Sequence, residues 1–312
     1  MREVARTLSL GRLALAGESP ALSRWLPVVA IVAAVFLWGG SFSAMKIAGR
    51  ALDPWAMMWA RMMVALICLA PFVGRLIPRN YGRGDWKLLT PLVLLMPCLY
   101  FYLESHALTY TTSAQAGVVS ASVPLLVAAG ARLFLAEAVS RGTWMGLVLS
   151  VCGVVWLTLA GTPAQDAPNP LLGNVLELGA MICAAGYMLL MKSLSTRYGP
   201  WTITALQIVA GALFFLPGVP SLLAVAGSLT LPTVLAVLFM GAGASLGAFG
   251  LYNWAITRLR ASQASAYINL VPVVAVGMGW IFLGEALNTM QLAGAGCVFL
   301  GVWISQRGSV SR

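Results

Sequence analysis

The fold is decided by residues 107–138, ALTYTTSAQAGVVSASVPLLVAAGARLFLAEA, because a related stretch follows at residues 255–286, AITRLRASQASAYINLVPVVAVGMGWIFLGEA. Moving residues 107–154 forward by 148 positions places them on residues 255–302 without a gap, and 13 of 48 positions are then identical. A composition this biased gives roughly five identities by chance. The chain therefore contains an internal repeat.

The repeat extends toward the start of each half. There the matching positions are 146 residues apart, and they pair Met45 with Met191, Lys46 with Lys192, Pro54 with Pro200, Trp55 with Trp201 and Pro71 with Pro217. The two matches together cover most of both halves of the chain.

The composition places both halves in a lipid bilayer. Hydrophobic residues make up 60% of the 312 residues and charged residues only 9%, with a mean hydropathy of +0.88. Soluble domains carry about 25% charged residues, so a cytosolic enzyme and a disordered chain are excluded. The apolar runs are continuous, whereas the strands of a membrane barrel alternate apolar and polar residues. We therefore expect an all-α membrane protein.

A spanning helix needs about 20 predominantly apolar residues. Ten transmembrane helices are predicted on this basis, at 26–48, 54–73, 88–108, 113–134, 142–161, 170–191, 201–219, 231–257, 261–283 and 289–306. Each half then holds five, and an odd number turns the second copy upside down, which predicts two inverted five-helix repeats. The predicted organisation is an N-terminal tail (1–25), a first repeat (26–161), a linker (162–169), a second repeat (170–306) and a C-terminal tail (307–312).

The basic residues predict the orientation of these spans. With both termini cytoplasmic, sixteen of the 19 Lys and Arg residues fall on the inner side, only Lys46 and Arg50 fall outside, and Arg61 lies within the second span. This asymmetry is typical of a multi-pass protein of the cell inner membrane. The net charge of +10 therefore records topology, and a nucleic-acid partner is not expected.

Inverted repeats are typical of secondary transporters, in which rocking one half against the other exposes a site near the bilayer midplane to alternate sides. The motifs add a resemblance. The first span has WGGSFSAMK from Trp38 to Lys46, Pro54 and Arg61 follow, and the repeated runs end as Pro124…Glu137 and Pro272…Glu285. Over residues 26–306 the chain resembles the drug/metabolite transporter superfamily, in its EamA-type branch. The resemblance implies ten helices, cytoplasmic termini, a central cavity and export of amino acids, other metabolites or drugs.

Ionisable groups inside a membrane are costly, so each is a candidate for function. Arg61 and Glu104 are expected at similar depth, where they form an ion pair that pins two helices or else contact the substrate or a proton. His106 suits a structural role at the outer interface or a proton relay. Glu177 has no cationic partner that the sequence reveals, which leaves it protonated, hydrogen-bonded or facing the cavity.

Two prolines occupy equivalent positions in the two halves. Pro124 and Pro272 are predicted in the middle of the fourth and ninth spans, where each frees a backbone carbonyl, of Ser120 and Ile268 respectively. Freed carbonyls and deep aromatic side chains suit a central site for polar or amphipathic substrates. The predicted substrate-binding residues are Trp38, Ser41, Phe42, Tyr100, Glu104, Ser120, Pro124, Tyr187, Tyr252, Tyr267, Asn269 and Pro272.

Two further sets of residues have structural predictions. Glu137 and Glu285 end the fourth and ninth helices and are expected to cap or salt-bridge rather than bind substrate. The pairs Gly146/Gly153 and Gly294/Gly301 are each seven residues apart, on one face of a helix, and favour close helix packing.

These patterns predict an exporter of small amphipathic metabolites, amino acids first, that works by alternating access and is not an enzyme. Multidrug efflux is the alternative; a lipid-modifying enzyme would need a polar catalytic cluster and a channel a selectivity filter, and neither pattern is present. No cofactor or metal site is predicted. The expected partners are a small-molecule substrate and the lipid bilayer. A monomer and a homodimer both fit, and so do proton antiport, exchange and facilitated diffusion.

Overall fold

The computed structural model describes residues 20–72, 74, 81–134, 140–194, 197–256, 267 and 269–310, and these are almost entirely helical. Residues 1–19 of the predicted N-terminal tail, residues 311–312 of the predicted C-terminal tail, Glu137 and Ile268 lie outside the described residues, as do several of the predicted cytoplasmic basic residues.

The helices fall into two sets. The first contains α1 (Pro20–Ala48), α2 (Pro54–Leu69), α3 (Trp86–Val93), α4 (Tyr100–Tyr110), α5 (Ser113–Ser120), α6 (Val123–Phe134) and α7 (Arg141–Leu159). The second contains α8 (Pro170–Leu194), α9 (Pro200–Phe214), α10 (Val219–Val225), α11 (Leu231–Leu238), α12 (Ala248–Ile256), α13 (Val271–Leu283) and α14 (Thr289–Val310). π-helical segments, Leu94–Leu99 and Phe239–Gly247, join α3 to α4 and α11 to α12.

Seven helices in the described residues are long and apolar enough to cross a membrane. The pair Trp201–Phe214 and Leu216–Ser228, bent by 49°, makes an eighth if it is one span, and Val271–Leu283 and Thr289–Ser305 are shorter apolar helices. The predicted ninth span begins at residue 261, outside the described residues. The structure thus gives a helical protein with seven or eight apolar spans rather than a direct count of ten.

The repeat in the sequence is also a repeat in the structure. α6 begins at Val123 and α13 at Val271, 148 residues later, and each follows a two-residue turn. The two π-helical segments end at Leu99 and Gly247, which are also 148 residues apart. The halves therefore share their helix breaks as well as their motifs.

Two of these breaks lie at the prolines, Pro124 and Pro272, that were predicted to kink the fourth and ninth spans. α5 ends at Ser120 before a turn at residues 121–122, and Pro124 lies in the first turn of α6. Pro272 likewise lies in the first turn of α13. In the first turn the missing N–H of proline costs no helical hydrogen bond, and its fixed φ favours helix initiation. Residues 113–134 nevertheless form one span of 22 residues, so Pro124 lies at a local break within that span, in keeping with the predicted kink.

Helices α7 and α14 pack along their length through the predicted glycines. A Cβ atom on Gly153 would lie 2.8 Å from the carbonyl oxygen of Gly294, and one on Gly301 would lie 2.8 Å from the backbone nitrogen of Ser150. Backbone atoms cannot move aside as side chains do, so only glycine fits. The prediction of close packing at these glycines is confirmed.

Candidate functional site

Three membrane-embedded helices bring ionisable side chains together inside the protein, and a fourth segment adds a serine. α2 carries Arg61, α4 carries Tyr100 and Glu104, α8 carries Glu177, and the π-helical segment Phe239–Gly247 carries Ser245. Arg61 is 3% exposed, Glu104 2% and Glu177 0%. We call Arg61, Tyr100, Glu104 and Glu177 the buried carboxylate cluster.

Arg61 is held by groups from three other segments. Its Nε donates a 2.8 Å hydrogen bond to Ser245 Oγ, its guanidinium carbon lies 4.0 Å from the ring centroid of Phe101, and its Nη1 lies 4.0 Å from Met45 Sδ. A cation over an aromatic face gains about 2 kcal/mol or more when both are desolvated. Arg61 is therefore fixed in orientation, with its charge directed into the cluster.

Arg61 and Glu104, the predicted ion pair, lie near each other without a hydrogen bond between them. The two side chains are within electrostatic range, but the hydrogen-bond partner of Arg61 is Ser245 and that of Glu104 is Tyr100. The reason is local: Tyr100 precedes Glu104 by one turn of α4, so its hydroxyl reaches the carboxylate at 2.6 Å.

Glu177 differs from every other buried charged group described. Both of its carboxylate oxygens are buried without a hydrogen-bond partner in the described part of the chain. Glu104 and Tyr100 are the ionisable groups within electrostatic range of it. An ionised carboxylate that is buried without partners loses its hydration and gains nothing in return. Of the three alternatives that the sequence left open, a hydrogen bond to another described residue is not seen.

A cavity of about 210 Å³ opens on the side predicted to face outward. Its charged and polar lining comes from α1, α4, the loop between the halves and the end of α13. These lining residues are Lys46, Arg50, Ser105, Thr109, Gln165, Asp166 and Glu285. Cations and anions therefore face the same space, an arrangement that suits a zwitterion.

Two residues connect the cavity with the buried carboxylate cluster. Met45 lines the cavity and also contacts Arg61, and Ser105, which lines the cavity, directly follows Glu104 in α4. One layer of side chains thus lies between the cavity and the cluster. Lys46 is anchored at the rim, where its Nζ donates to the backbone carbonyl of Asp166.

Glu285 is buried and caps the first turn of α5, as predicted for a structural role. Its Oε1 accepts from the backbone N–H of Ser113 at 3.0 Å, and its Oε2 accepts from Ser113 Oγ at 2.7 Å and from the N–H of Ala114 at 2.9 Å. A negative charge at a helix N-terminus is stabilising. This contact also joins the two halves.

The predicted substrate-binding residues do not form one site in this conformation, and none of those described lines the cavity. Some of them meet beside α1. The ring of Trp38 lies 5.3 Å from that of Tyr252 and 5.4 Å from that of Phe249, and Tyr252 and Tyr267 pack against buried Ile31.

The other predicted residues are scattered. Ser41 donates to the carbonyl of Trp38, and Ser120 to that of Gly117, each at 2.7 Å. The rest divide between core and surface: Phe42 lies in the main core, Tyr187 in a cluster with Leu92, Pro272 is buried, Asn269 is half-buried in a turn and Pro124 is exposed. Only Tyr100 and Glu104 of the set belong to the buried carboxylate cluster.

His106 contacts a residue of its own helix. Its Nδ1 donates to the carbonyl of Tyr102 at 2.7 Å, and the two rings are 4.3 Å apart. This local contact within one helix ties His106 to Tyr102.

Sequence reasoning missed a polar network centred on Asn174. Its side-chain nitrogen donates to Gln115 Oε1 and Thr158 Oγ1, both at 3.0 Å, and its oxygen accepts from Thr111 at 2.8 Å. All four residues are buried. Through this network Gln115 helps to hold neighbouring helices together.

A second missed cluster lies outside the spans, before α3. Asp85 accepts from Arg197 Nη1 at 2.6 Å, and also from the Tyr198 hydroxyl and the N–H of Gly82. The hydrogen bond from Tyr198, with those from Gly82 and Arg197, holds the pKa of Asp85 below its ordinary value of 3.8. The loop before α3 is thereby tied to the loop after α8.

The sequence of this chain is similar to those of known proteins. The model of the EamA-like transporter family matches the chain twice, over residues 25–159 and 171–306. The chain is 28% identical to the uncharacterized transporter YcxC of Bacillus subtilis, over 88% of this chain and 90% of that protein. It is 29% identical to the uncharacterized transporter YetK of the same organism, in a match spanning 64% of this chain and 62% of YetK.

Two further likenesses are more distant. A probable terminal-alkyne amino-acid exporter of Streptantibioticus cattleyicolor is 24% identical over 91% of this chain and 95% of that protein. A solved crystal structure shares the fold, with a TM-score of 0.59 at 14% identity over 90% of this chain and 96% of that chain.

Proposed function

The chain belongs to the EamA-like transporter family, and from that premise we propose that it is a secondary carrier that exports small amphipathic metabolites, amino acids first. One observation carries the substrate class: Lys46, Arg50 and Asp166 line a single cavity. An amino acid brings a carboxylate and an ammonium group that complement these charges. The likeness to a probable amino-acid exporter supports the same class.

The proposal includes a topology. Ten spans, two inverted repeats (26–161 and 170–306) and cytoplasmic termini in the cell inner membrane account for the basic residues of the loops. The helix breaks repeated 148 residues apart support the duplication. Alternating access then moves substrate between the outer cavity and the inner side.

The remaining predicted substrate residues are proposed to act when the carrier opens. Trp38, Tyr252 and Tyr267 lie along one face of α1, where they give an apolar wall for a substrate side chain. This aromatic group is also the observation that favours the second candidate, multidrug efflux, since aromatic faces attract organic cations.

Transport by the full chain in proteoliposomes tests the proposal. The liposomes are loaded with radiolabelled threonine, phenylalanine or lysine, and efflux is compared with that of protein-free liposomes. We expect amino-acid efflux that saturates, with a higher KM in Lys46→Met and an unchanged KM in Lys87→Met, whose side chain is outside the cavity. Folded protein that moves ethidium but none of the amino acids would establish multidrug efflux instead.

A further inference from the structure

Glu177 has no role in substrate recognition by the outer cavity, yet it is the most completely buried ionisable group of the cluster. Resting on the transport function proposed above, we propose that Glu177 is the proton-carrying group of the carrier, and that its proton is exchanged for the ammonium group of the substrate. Transport is then an antiport of one proton against one substrate molecule.

Two buried glutamates in the same protein provide the comparison. Glu285 receives three hydrogen bonds at 2.7–3.0 Å, which replace the water that an ionised carboxylate loses. Glu177 receives none from any described residue. Because an uncompensated buried charge is far more costly than a neutral carboxyl group, the two sites suit opposite protonation states.

The charges around Glu177 lead to the same conclusion. α8 packs against α3 to α7 and the π-helical segment Leu94–Leu99, and on these elements Tyr100 and Glu104 face Glu177 electrostatically. Arg61, on α2, faces Glu104 in turn. The cluster thus contains one guanidinium and two carboxyl groups, and it is electrically neutral only with one proton bound.

A proton on Glu177 and a substrate ammonium group beside it are then alternatives. Each neutralises the Glu177 carboxylate, while the carboxylate of an amino-acid substrate is balanced by a cation of the cavity, Lys46 or Arg50. Binding of one therefore disfavours the other by like-charge repulsion in a medium of low dielectric constant. Mutually exclusive occupancy of one site is the requirement for antiport.

In this proposal the proton comes from the outer side, where the cavity lies. Ser105 lines that cavity and directly follows Glu104 in α4, and Tyr100 donates to Glu104 at 2.6 Å. A hydronium ion from the outer cavity gives up its proton, and an O–H bond forms on the Glu177 carboxylate. When the site opens inward, this O–H bond breaks, the proton passes to cytoplasmic water, and the carboxylate is free to bind the ammonium group.

Infrared spectroscopy of the reconstituted full chain tests the protonation state without any substrate. We expect the C=O stretch of a protonated carboxyl group at neutral pH, its absence in Glu177→Gln, and its persistence in the control Glu285→Gln. A spectrum of Glu177→Gln identical to that of the parent overturns the proposal. Glutamine matches a protonated glutamate in shape and charge, so failure of Glu177→Gln to fold also contradicts it.

Flux measurements test the exchange. With labelled threonine as the probe, an acidic exterior should accelerate efflux from the parent protein. Glu177→Gln should lose this acceleration but keep exchange of labelled for unlabelled threonine, and Glu177→Asp should retain part of it. Equal acceleration in the parent and in Glu177→Gln overturns the coupling role. If the parent moves no threonine, the proposed amino-acid substrate fails, whereas the infrared result still decides the state of Glu177.

Discussion

Asn174 and Glu177 lie one turn apart on the same helix, and both are buried, but Asn174 has three hydrogen-bond partners and Glu177 has none among the described residues. The same helix therefore carries a polar group suited to holding the packed structure together and another suited to changing its state. Fully paired networks rigidify a protein interior, whereas an unpaired group responds to a proton or a ligand.

Replacing Asn174 by alanine should lower stability by about 1–3 kcal/mol, because Gln115, Thr158 and Thr111 each lose a buried partner. The control Val175→Ala, on an exposed neighbour in the same helix, should change stability much less. Thermal unfolding in detergent measures both. Equal unfolding temperatures in the two variants would show that the network does not hold the helices together.

The glycines of α14 offer a matched pair. A Cβ on Gly294 would lie 2.6 Å from the backbone nitrogen of Leu157, whereas a Cβ on Gly296 would meet nothing within 4 Å. Gly294→Ala should therefore cost about 1–3 kcal/mol by overpacking, and Gly296→Ala should stay within about 1 kcal/mol of the parent. Denaturant titration distinguishes them, and a neutral Gly294→Ala would contradict the packing of α7 on α14.

The Ser245 hydroxyl should be needed to hold Arg61. Ser245→Ala removes the acceptor for Arg61 Nε, and leaving a charged buried donor unpaired costs about 1–3 kcal/mol or more. Ser228→Ala, at an exposed position, is the control. We expect a lower unfolding temperature and slower transport for Ser245→Ala alone; unchanged values for both would argue against this contact.

The Asp85 cluster predicts a pH-dependent contribution to stability. Because its partners lower the pKa of Asp85, its contribution is complete above the ordinary value of 3.8 and is lost as the pH falls through the folded pKa. Asp85→Asn should therefore be less stable than the parent at neutral pH. The gap should close in acid as the parent loses the same interaction. A gap that is independent of pH would contradict this origin.

The proposed topology predicts opposite labelling on the two sides. A cysteine at exposed Asp166 should react with a membrane-impermeant maleimide in intact cells, and one at exposed Arg83 should react only after the membrane is permeabilised. The parent protein measures the background from its five native cysteines. Labelling of Arg83→Cys in intact cells would reverse the assigned orientation.

The sequence predicts helices, membrane location and repeat well, because long apolar runs and 148-residue spacing are properties of the chain itself. It also locates the close contact at Gly153 and Gly294, since seven-residue spacing places small residues on one face. It cannot predict that Arg61 pairs with Ser245, 184 residues away. That choice depends on how two helices are rotated about their axes, which no local pattern encodes.

The prolines show a related limit. A proline within a long apolar run is compatible with a kink or with the start of a new helix, and the two differ only in the backbone of the preceding residues. At Pro124 a two-residue turn breaks the helix locally within one span, residues 113–134. The grouping of the aromatic residues could not be predicted from the sequence either. Tyr187 and Tyr252 are both deep in their spans, yet they pack in different clusters.

The buried position of Glu177 has a counterpart in the other half. At the 146-residue spacing it corresponds to Ile31, which is also 0% exposed. A carrier built from two identical inverted halves would have inward-open and outward-open states of equal free energy, since each is the image of the other. An isoleucine at one position and a glutamate at the equivalent position make the two states unequal in free energy. Divergence at this pair of sites thus gives a duplicated protein a means of favouring one of its two conformations.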